Sequence, residues 1–596
     1  MVNDTAPDTP DTLALDRLIL TAIGALAGLA AWVLVEILPD FVRNERLMLL
    51  IAVFTGGFFT AFLAATGPLD YKRAMIAAGL TAGPAALLLF GASFRFDVVG
   101  DFVDTGHPIV AYSTILTIGL PFLIAAQRPQ DGWNSYPALF TQSWNIVVRY
   151  AAAWVFVGVV WGVIMLSNAL LGLVGLTVIE DLLEVDAVPY LLTGAVLGLA
   201  LAVVVELSDY ISPYLVLRLL RLLLPVVFLV TLVFLAALPV QGLNNLFGGL
   251  SAAATLLAMA VGIATLITSA LDRDDEEATK SRALQFSARA LALALPILAS
   301  VSVYSIWLRV AQYGWTPTRL AAMVFALIVL GYGVLYALAV LRGAAWMAHV
   351  RRGNIAMALV SIGVAVVWLN PLVSPEQISA RSQKARILIG DVSAEKGDLW
   401  YLGRELGRAG KAALAELAAT NDPAFAGLRA DIARLEASAN RYQYMEEQKD
   451  KDAPDYAAQI KAALTVWPEG ASLPADWPDD WLEGVERATL SLWATSCART
   501  TPEGHPGCLV LVGDLLPQVP GPEAIFAWMT GVDGVILSPI RRPAAGLPDP
   551  ELVYVMGRSR GLKSTALDQI RAGGLRLEPV TLPAMTIGET TVILRP

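Results

Sequence analysis

The chain has 596 residues, of which 56% are hydrophobic and 16% charged, and its mean hydropathy is +0.60. This apolar share lies well above that of ordinary soluble domains, so a membrane protein is the first class to test. The length exceeds that at which single hydrophobic cores stop growing, so at least two structural units are expected. After Asn370 the 29 Asp and Glu outnumber the 23 Lys and Arg, which gives no indication of a nucleic-acid-binding surface.

The first part of the chain is a succession of eleven apolar runs. A helix of about 20 residues crosses the roughly 30 Å hydrocarbon core of a bilayer. Eleven such runs in succession leave no polar face for water, so the pattern predicts an α-helical polytopic membrane domain. The predicted spans are residues 18–38, 47–67, 74–94, 109–126, 150–172, 188–206, 219–239, 250–271, 290–308, 320–341 and 355–369.

The charges of the loops predict the orientation. Alternate loops collect fourteen Lys and Arg on one side and five on the other, and the richer side is expected to be cytoplasmic. The tail of residues 1–16 is acidic and has no Lys or Arg, unlike a cleavable leader, so the first span is expected to remain as an anchor. An odd number of spans then places everything after Asn370 on the outer side, the periplasm of a bacterium whose inner membrane holds the protein.

Inside the spans, charged residues are scarce. Glu36 and Glu206 lie at span ends, where snorkelling to the interface explains them better than a proton relay. Close helix approach is expected at three pairs of glycines four residues apart, and an interfacial helix on the cytoplasmic side is predicted for residues 133–145. The glycine pairs are Gly24 and Gly28, Gly158 and Gly162, and Gly194 and Gly198.

Beyond the spans, the composition predicts a C-terminal soluble α+β domain. Amphipathic helices with charged faces begin after residue 373, and short β-branched runs follow Cys508. Within the β-rich part, helices are predicted near residues 523–529 and 564–572. The predicted organisation is a tail at 1–16, a transmembrane domain at 17–372, a soluble helical region at 373–500 and a soluble α/β subdomain at 501–596.

The two cysteines, Cys497 and Cys508, bracket a short loop in the soluble part. In an oxidising compartment such a pair predicts a disulfide, whereas two unrelated small buried residues are the alternative.

Recognisable catalytic and cofactor motifs are missing from the sequence. The stretch Gly557-Arg558-Ser559-Arg560-Gly561-Leu562-Lys563-Ser564 lacks the spacing of a phosphate-binding loop, so it is interpreted as a basic turn before a helix. The three histidines, His107, His349 and His505, fall in three different loops and assemble no metal site with the cysteines. We therefore predict no cofactor, no metal and no catalytic residue.

Several short stretches near the predicted spans are specific enough to carry a family resemblance. They resemble the bacterial family called domain of unknown function 4153, whose members are multi-pass membrane proteins with a soluble C-terminal region. The resemblance implies architecture and location, and it supplies no catalytic residues. The stretches are Tyr313-Gly314-Trp315-Thr316-Pro317-Thr318-Arg319, Leu369-Asn370-Pro371-Leu372, Ile378-Ser379-Ala380-Arg381-Ser382-Gln383 and Tyr136-Pro137-Ala138-Leu139-Phe140.

Within these stretches, Trp315, Pro317, Asn370 and Pro371 are a candidate surface site. The alternative is that they mark how the last three spans meet the outer surface.

Three functions are open at this stage. The leading hypothesis is a non-enzymatic scaffold of the envelope, whose outer domain binds an envelope protein. The second is a transporter or lipid-handling protein, which requires a pathway through the spans. The third is an envelope-facing hydrolase, which requires clustered carboxylates or a nucleophile in an outer pocket. In each case the expected partner of the first 372 residues is the lipid bilayer.

Overall fold

The structure, a computed structural model, describes residues 10–128, 132–206, 213–246, 252–343, 345–391, 397–420, 422–445, 455–471, 482, 485–513, 523–531, 533–539, 562–576, 584–587 and 590–593. It divides into two compact units, unit 1 (Met1–Ala437) and unit 2 (Ser438–Pro596). Each unit is described by itself.

Unit 1 is helical, and eleven of its helical segments are long and apolar enough to cross a membrane. This confirms the prediction of a polytopic helical domain. The first crossing continues from α1 through a π-helical turn (Val33–Ile37) into α2, and the seventh is formed by α10 and α11. The helices are α1 (Pro10–Trp32), α2 (Leu38–Phe41), α3 (Glu45–Ala65), α4 (Tyr71–Ser93), α5 (Val99–Asp104), α6 (His107–Gln127), α7 (Tyr136–Leu173), α8 (Val178–Leu183), α9 (Ala187–Glu206), α10 (Pro213–Leu222), α11 (Leu224–Leu246), α12 (Ala252–Leu271), α13 (Arg282–Tyr313), α14 (Pro317–Leu341), α15 (Trp346–Leu369), α16 (Pro375–Ile389), α17 (Gly407–Ala418) and α18 (Ala426–Ala437).

Because the number of crossings is odd, the two ends of the helical bundle lie on opposite faces. We call the face at which α1 begins the N-face and the face that carries α16 the C-face. Helix α17, beyond the eleven apolar segments, is hydrogen-bonded to the C-face within unit 1. The backbone N–H of Arg408, at the start of α17, donates to the carbonyl of Arg95 in the α4–α5 turn at 2.9 Å. Asp97 of that turn accepts from Arg408 Nε at 2.8 Å and from Lys411 Nζ at 2.5 Å.

The closest helix pair of unit 1 is α1 with α9, and two of the three glycine pairs account for it. A Cβ added to Gly24 would lie 2.1 Å from the carbonyl oxygen of Gly194, and one added to Gly198 would lie 2.1 Å from that of Leu20. The two backbones therefore touch, as small residues allow in membrane helices. Nothing lies within 4 Å of a Cβ added at Gly158, so the third pair has no such role within the chain.

Polar contacts close the α1–α9 pair at both ends. On the N-face, Arg17 Nε donates to Glu206 Oε1 at 2.8 Å. On the C-face, the Tyr190 hydroxyl donates to Glu36 at 3.3 Å. The two carboxylates at span ends thus bind partners on the neighbouring helix.

The interfacial helix predicted for residues 133–145 is not a separate element. Residues from Tyr136 to Asn145 are the first turns of α7, a helix of 38 residues that continues into the fifth crossing. No glycine or proline lies between Asn145 and Tyr150, so nothing ends the helix there. The first turns of α7 bury Ala138, Leu139 and Phe140 inside the bundle.

Unit 2 is a mixed sheet with helices on both faces. The sheet has the order β1-β2-β3-β4, with β1 parallel to β2 and the other neighbours antiparallel. A two-stranded antiparallel sheet of β5 and β6 follows. The elements are α19 (Tyr456–Ala463), β1 (Val466–Trp467), α20 (Arg487–Cys497), β2 (Cys508–Gly513), β3 (Glu523–Thr530), β4 (Gly534–Pro539), α21 (Thr565–Arg571), β5 (Ala584–Ile587) and β6 (Thr590–Ile593).

The helix predicted near residues 523–529 is wrong, because this segment is strand β3. Phe526 packs on Trp493 of α20 on one face of the sheet, with ring centroids 4.5 Å apart. Ala527 and Met529 pack with Leu567 of α21 on the other face. A strand covered on both faces loses the alternation of polar and apolar residues, so a short apolar run cannot be distinguished from a helix. The helix predicted near 564–572 is present as α21.

Some predictions fall outside the described residues. They are the first nine residues of the tail, residues 557–561 of the basic turn, and two of the β-branched runs predicted after Cys508, the one at 552–556 and, from residue 577 onward, the one at 575–582.

We predict that Gly24→Ala destabilises the protein, whereas Gly158→Ala does not. The first methyl group would meet the Gly194 carbonyl and force α1 and α9 apart, at a cost of about 1–3 kcal/mol or more. The second enters open space, where alanine favours a helix by roughly 1 kcal/mol over glycine. Thermal unfolding of the two variants in detergent measures the difference, and equal losses of stability would contradict the packing described here.

Candidate functional site

A buried cluster of charges lies where the α4–α5 turn, the start of α6 and the start of α16 meet on the C-face. Arg95 Nη1 lies 3.6 Å from Glu376 Oε2, and His107 Nε2 lies 3.5 Å from Glu376 Oε1. The side chains of Arg95, His107 and Glu376 are only 6%, 8% and 1% exposed. We call these three residues the C-face cluster.

Arg95 connects this cluster to the loop that leaves the membrane. Its Nη2 donates to the carbonyl oxygens of Trp368, Asn370 and Val373 at 2.6, 2.9 and 3.0 Å. Burial lowers the pKa of Arg95, and attraction to Glu376 acts in the opposite direction. A guanidinium stays protonated in proteins, so the arginine holds the α15–α16 turn with a full positive charge.

The hydrogen bond from Trp368 fixes the tautomer of His107. An indole N–H can only donate, and Trp368 Nε1 lies 3.0 Å from His107 Nδ1. Nδ1 is therefore the acceptor, and the proton of the neutral ring is on Nε2, the nitrogen that faces Glu376. Protonation of Nδ1 would break the bond to Trp368.

A groove runs from this cluster across the bundle. Helix α15 forms its floor. In the C-face half, α6 and α14 form the walls, and both pack on α15 and barely touch each other; the N-face half is also lined by α7 and α12. The C-face half has a volume of about 430 Å³ and the N-face half about 540 Å³, and the two halves share Ile118, Phe325, Ile328 and Ser361. Along α15 it extends from Asn354 to Trp368, a length of about 21 Å at 1.5 Å per residue.

The groove is apolar along its length and open at its side. On the walls, Val110 of α6 and Phe325 of α14 are 67% and 47% exposed. The hydroxyls of Thr114, Thr117 and Ser361 each donate to a carbonyl of their own helix at 2.8 Å. These hydroxyls therefore have no donor left for a polar solute.

A polar network closes the N-face end of the groove. Asn354 Nδ2 donates to the Tyr136 hydroxyl at 3.1 Å, and the Tyr336 hydroxyl donates to Asn354 Oδ1 at 2.6 Å. The Thr268 hydroxyl lies 3.2 Å from that of Tyr336. The groove thus ends in polar groups at both faces.

Ion pairs support this end on the N-face. Arg221 pairs with the buried Asp272 in the α12–α13 loop, and Arg351 of α15 pairs with Asp275 at 2.6 Å. Burial raises the pKa of Asp272, and the hydrogen bond from the Arg273 N–H and the charge of Arg221 only partly oppose this, so the net shift is upward. These contacts join α10, the α12–α13 loop and α15.

The predicted surface residues Trp315 and Pro317 lie in and just after the α13–α14 turn. The Trp315 N–H donates to Ser382 Oγ at 3.1 Å, and Gln383 Nε2 donates to the Trp315 carbonyl at 3.0 Å. Pro317 is the buried first residue of α14. This pair therefore contacts or adjoins the middle of α16.

The other two predicted residues, Asn370 and Pro371, lie in the α15–α16 turn. The Asn370 carbonyl accepts from Arg95, and its side chain accepts from the Leu372 N–H at 2.9 Å. The structure thus brings the two pairs to different places along α16 rather than into one site. This geometry fits the interpretation that they mark where the last spans meet the C-face, and a ligand-binding role for them stays a prediction.

In unit 2, Cys497 and Cys508 form a disulfide with Cα atoms 4.7 Å apart. Beside it, Asp568 is buried and accepts from the Thr501 hydroxyl at 2.6 Å, while His505 Nδ1 lies 3.1 Å from the same carboxyl oxygen. Burial raises the pKa of Asp568. The hydrogen bonds from Thr501 and His505 lower the pKa by a larger amount, so the net shift is downward.

A single ligand atom from each of Glu503, His505 and Asp568 lies within 4.8 Å of the others, so a metal ion is one use of this cluster. Two observations favour a structural role instead. The Asp568 carboxylate is already occupied by the hydrogen bonds of the α20–β2 loop, and Arg571 Nη1 lies 3.8 Å from it, where its charge opposes a cation. Thr501 and His505 both bind the carboxylate, so they do not form the relay of a hydrolytic triad.

Sequence reasoning missed the C-face cluster. In the sequence, Arg95 is one of several basic residues in loops and His107 is an isolated histidine. No motif or spacing indicates that the two lie together. Glu376 is preceded by Ser374 and Pro375, which is typical of a helix N-terminus, and Ser374 Oγ indeed accepts from the Gln377 N–H at 3.2 Å. That capping signal does not indicate that the Glu376 side chain faces the α4–α5 turn and the start of α6.

The fold and the groove define the class as a multi-pass α-helical membrane protein. Residues 20–417 match the model of the family described as Domain of unknown function (DUF4153). The match covers most of the chain, so the protein belongs to this family, as the resemblance implied. The matched residues include the C-face cluster and the whole groove, whereas unit 2 lies outside them. No curated protein and no solved structure matches the chain.

We predict that Glu376→Gln destabilises unit 1 far more than Asp97→Asn does. The first change leaves Arg95 buried without its counter-charge, and breaking a buried pair costs about 3–5 kcal/mol. Asp97 is paired on the same face but is 46% exposed, so its loss costs less than about 1 kcal/mol. Thermal unfolding in detergent compares the two, and similar melting temperatures would show that the cluster does not hold the C-face together.

Proposed function

We propose that the protein is a lipid-handling protein of the membrane that binds the acyl chain of a membrane lipid in the groove on α15. The observation that carries the proposal is the combination of an apolar, laterally open groove with polar groups at each end. A bilayer lipid can enter from the side, between α6 and α14. A polar solute finds few free donors along the way, because the three hydroxyls named above are bonded to their own helices.

The groove length agrees with this ligand. About 21 Å along α15 is two-thirds of the roughly 30 Å hydrocarbon core, so an extended chain reaches past the midplane. Bilayer hydrocarbon is as apolar as the groove, so transfer of the chain between them gains little. Selectivity then depends on packing against the floor and on the polar groups at the ends.

We predict that a photoactivatable phospholipid, with a diazirine in its acyl chain, labels peptides of α6, α14 and α15 in lipid nanodiscs. Ala358 lines the groove floor, whereas Ala356, two residues away on the same helix, is exposed and does not line it. Ala358→Trp should reduce labelling of the groove peptides several-fold, because the indole fills the groove, and Ala356→Trp should leave it unchanged. Mass spectrometry of the crosslinked peptides is the measurement, and equal labelling in both variants would refute the proposal.

We further propose that the N-face is cytoplasmic, and that the C-face and unit 2 lie on the outer side of a bacterial inner membrane. Two observations support this orientation. The short loops carry fourteen Lys and Arg on the N-face and five on the C-face, as the positive-inside rule requires. Disulfides such as that of Cys497 and Cys508 persist in oxidising compartments.

We predict that Glu416→Cys, on α17, reacts with a membrane-impermeant maleimide in intact cells. Lys280→Cys, in the exposed α12–α13 loop, should react only after lysis, because it lies on the N-face. The native cysteines are bonded to each other and stay unreactive. Gel-shift detection of the adduct is the readout, and the reverse pattern of labelling would invert the proposed orientation.

Binding of an envelope protein by unit 2 remains the second candidate. This role is favoured because unit 2 is a compact unit that lies outside the residues matched by the family model. The groove gives the lipid-handling function a more specific basis, so we rank the scaffold role below it. A hydrolase ranks lowest, because in the described part of unit 2 the cluster around Asp568 holds a loop rather than presenting a nucleophile to a base.

A further inference from the structure

A second cavity, next to the groove, lies in the C-face half of the bundle. Helix α13 forms its floor, and α12 and α14 form its walls, with a volume of about 830 Å³. Val261 of α12 and Ala322 and Phe325 of α14 line both this cavity and the groove. From Thr318 to Phe325 the cavity extends about 10 Å along α14, within the roughly 15 Å of one leaflet's hydrocarbon.

Two arginines stand at the mouth of this cavity while the rest of its lining is mainly apolar. Arg309 comes from the end of α13 and Arg319 from the start of α14. Their guanidinium carbons lie 5.9 and 5.3 Å from the ring centre of Tyr313. Arg319 Nη1 donates to the Gly314 carbonyl at 2.9 Å.

Neither arginine forms an ion pair with a carboxylate in the residues that the structure describes. This distinguishes them from Arg95 on the same face, which faces Glu376. Arg46, like Arg319, donates to backbone carbonyls, those of Phe96 and Asp97, at 2.7 and 3.1 Å. Arg386 of α16 adds a third guanidinium to the same turn, where it donates to the Gln312 carbonyl at 2.7 Å.

Basic residues are scarce in the C-face loops, so two arginines at one cavity are unusual there. The C-face short loops carry only five Lys and Arg, and two of them are Arg309 and Arg319. Both stand at the interface above an apolar space. Guanidinium groups bind phosphate oxygens through paired, charge-assisted hydrogen bonds, and an apolar cavity below them suits a hydrocarbon chain.

We propose that Arg309 and Arg319 bind the phosphate headgroup of an anionic phospholipid from the C-face leaflet, with one acyl chain in the cavity between α12 and α14. The charge complementarity selects an anionic lipid over a zwitterionic one. The cavity selects a lipid over a free phosphate ion. This site goes beyond the groove, because α13 lines it and different residues, Arg309 and Arg319, form its polar end.

The test uses the full chain in detergent, titrated with phosphatidylglycerol and phosphatidylcholine at equal concentrations and read by native mass spectrometry. The unchanged protein should retain phosphatidylglycerol in preference. Arg309→Gln combined with Arg319→Gln should lower that preference at least about tenfold, since hydrogen bonds to charged groups are lost. Arg43→Gln, an exposed arginine of the same face outside the cavity, should leave it unchanged.

Two further arms make the outcome decisive. Ala258→Trp, which fills the cavity, should abolish the preference while both arginines remain, and inorganic phosphate should not displace the lipid. Displacement by phosphate, or a preference that survives either the double arginine variant or Ala258→Trp, would overturn the proposal. Ala358→Trp blocks only the groove, so a preference that persists in it separates this site from the proposed groove function.

Discussion

The buried guanidinium of Arg95 is the interaction on which the architecture of unit 1 depends. Removing a charge from water costs several kcal/mol unless partners replace the water, and here three carbonyls and the Glu376 carboxylate do so. The three carbonyls belong to the end of α15 and the turn after it. One side chain from the α4–α5 turn therefore fixes where the last crossing ends and where α16 begins, and the Arg95 carbonyl also accepts from α17.

This arrangement shapes the groove. His107 begins α6 and Trp368 lies near the end of α15, and their hydrogen bond closes the C-face end of the space between the two helices. The Asn354 network closes the N-face end. Between these two ends, the hydroxyls of Thr114, Thr117 and Ser361 donate to carbonyls of their own helices. The groove is open laterally between its walls. The same physical rule explains both features: in hydrocarbon, polar groups must be satisfied within the protein, so they collect at the ends and leave the middle apolar.

Local patterns predicted local structure well. The eleven crossings, the amphipathic helices and the glycine pair on α1 could be found in the sequence, because hydrophobic length and small residues act within one helix. Predictions failed where neighbours decided the outcome. The apolar run at 523–529 became strand β3 because other elements cover both of its faces. The segment 133–145 is a different case, because its residues from Tyr136 onward belong to α7 for a local reason: no residue ends the helix before the fifth crossing.

The sequence by itself determined that this chain has eleven segments long and apolar enough to cross a membrane, that three of them carry glycines four residues apart, and which family it resembles. Only the tertiary structure decided that Gly24 faces Gly194, that Arg95, His107 and Glu376 form one cluster, and that Arg309 and Arg319 stand over an apolar cavity. The physical reason is that hydrophobicity is a property of each segment. A cluster or a cavity exists only once particular helices have become neighbours.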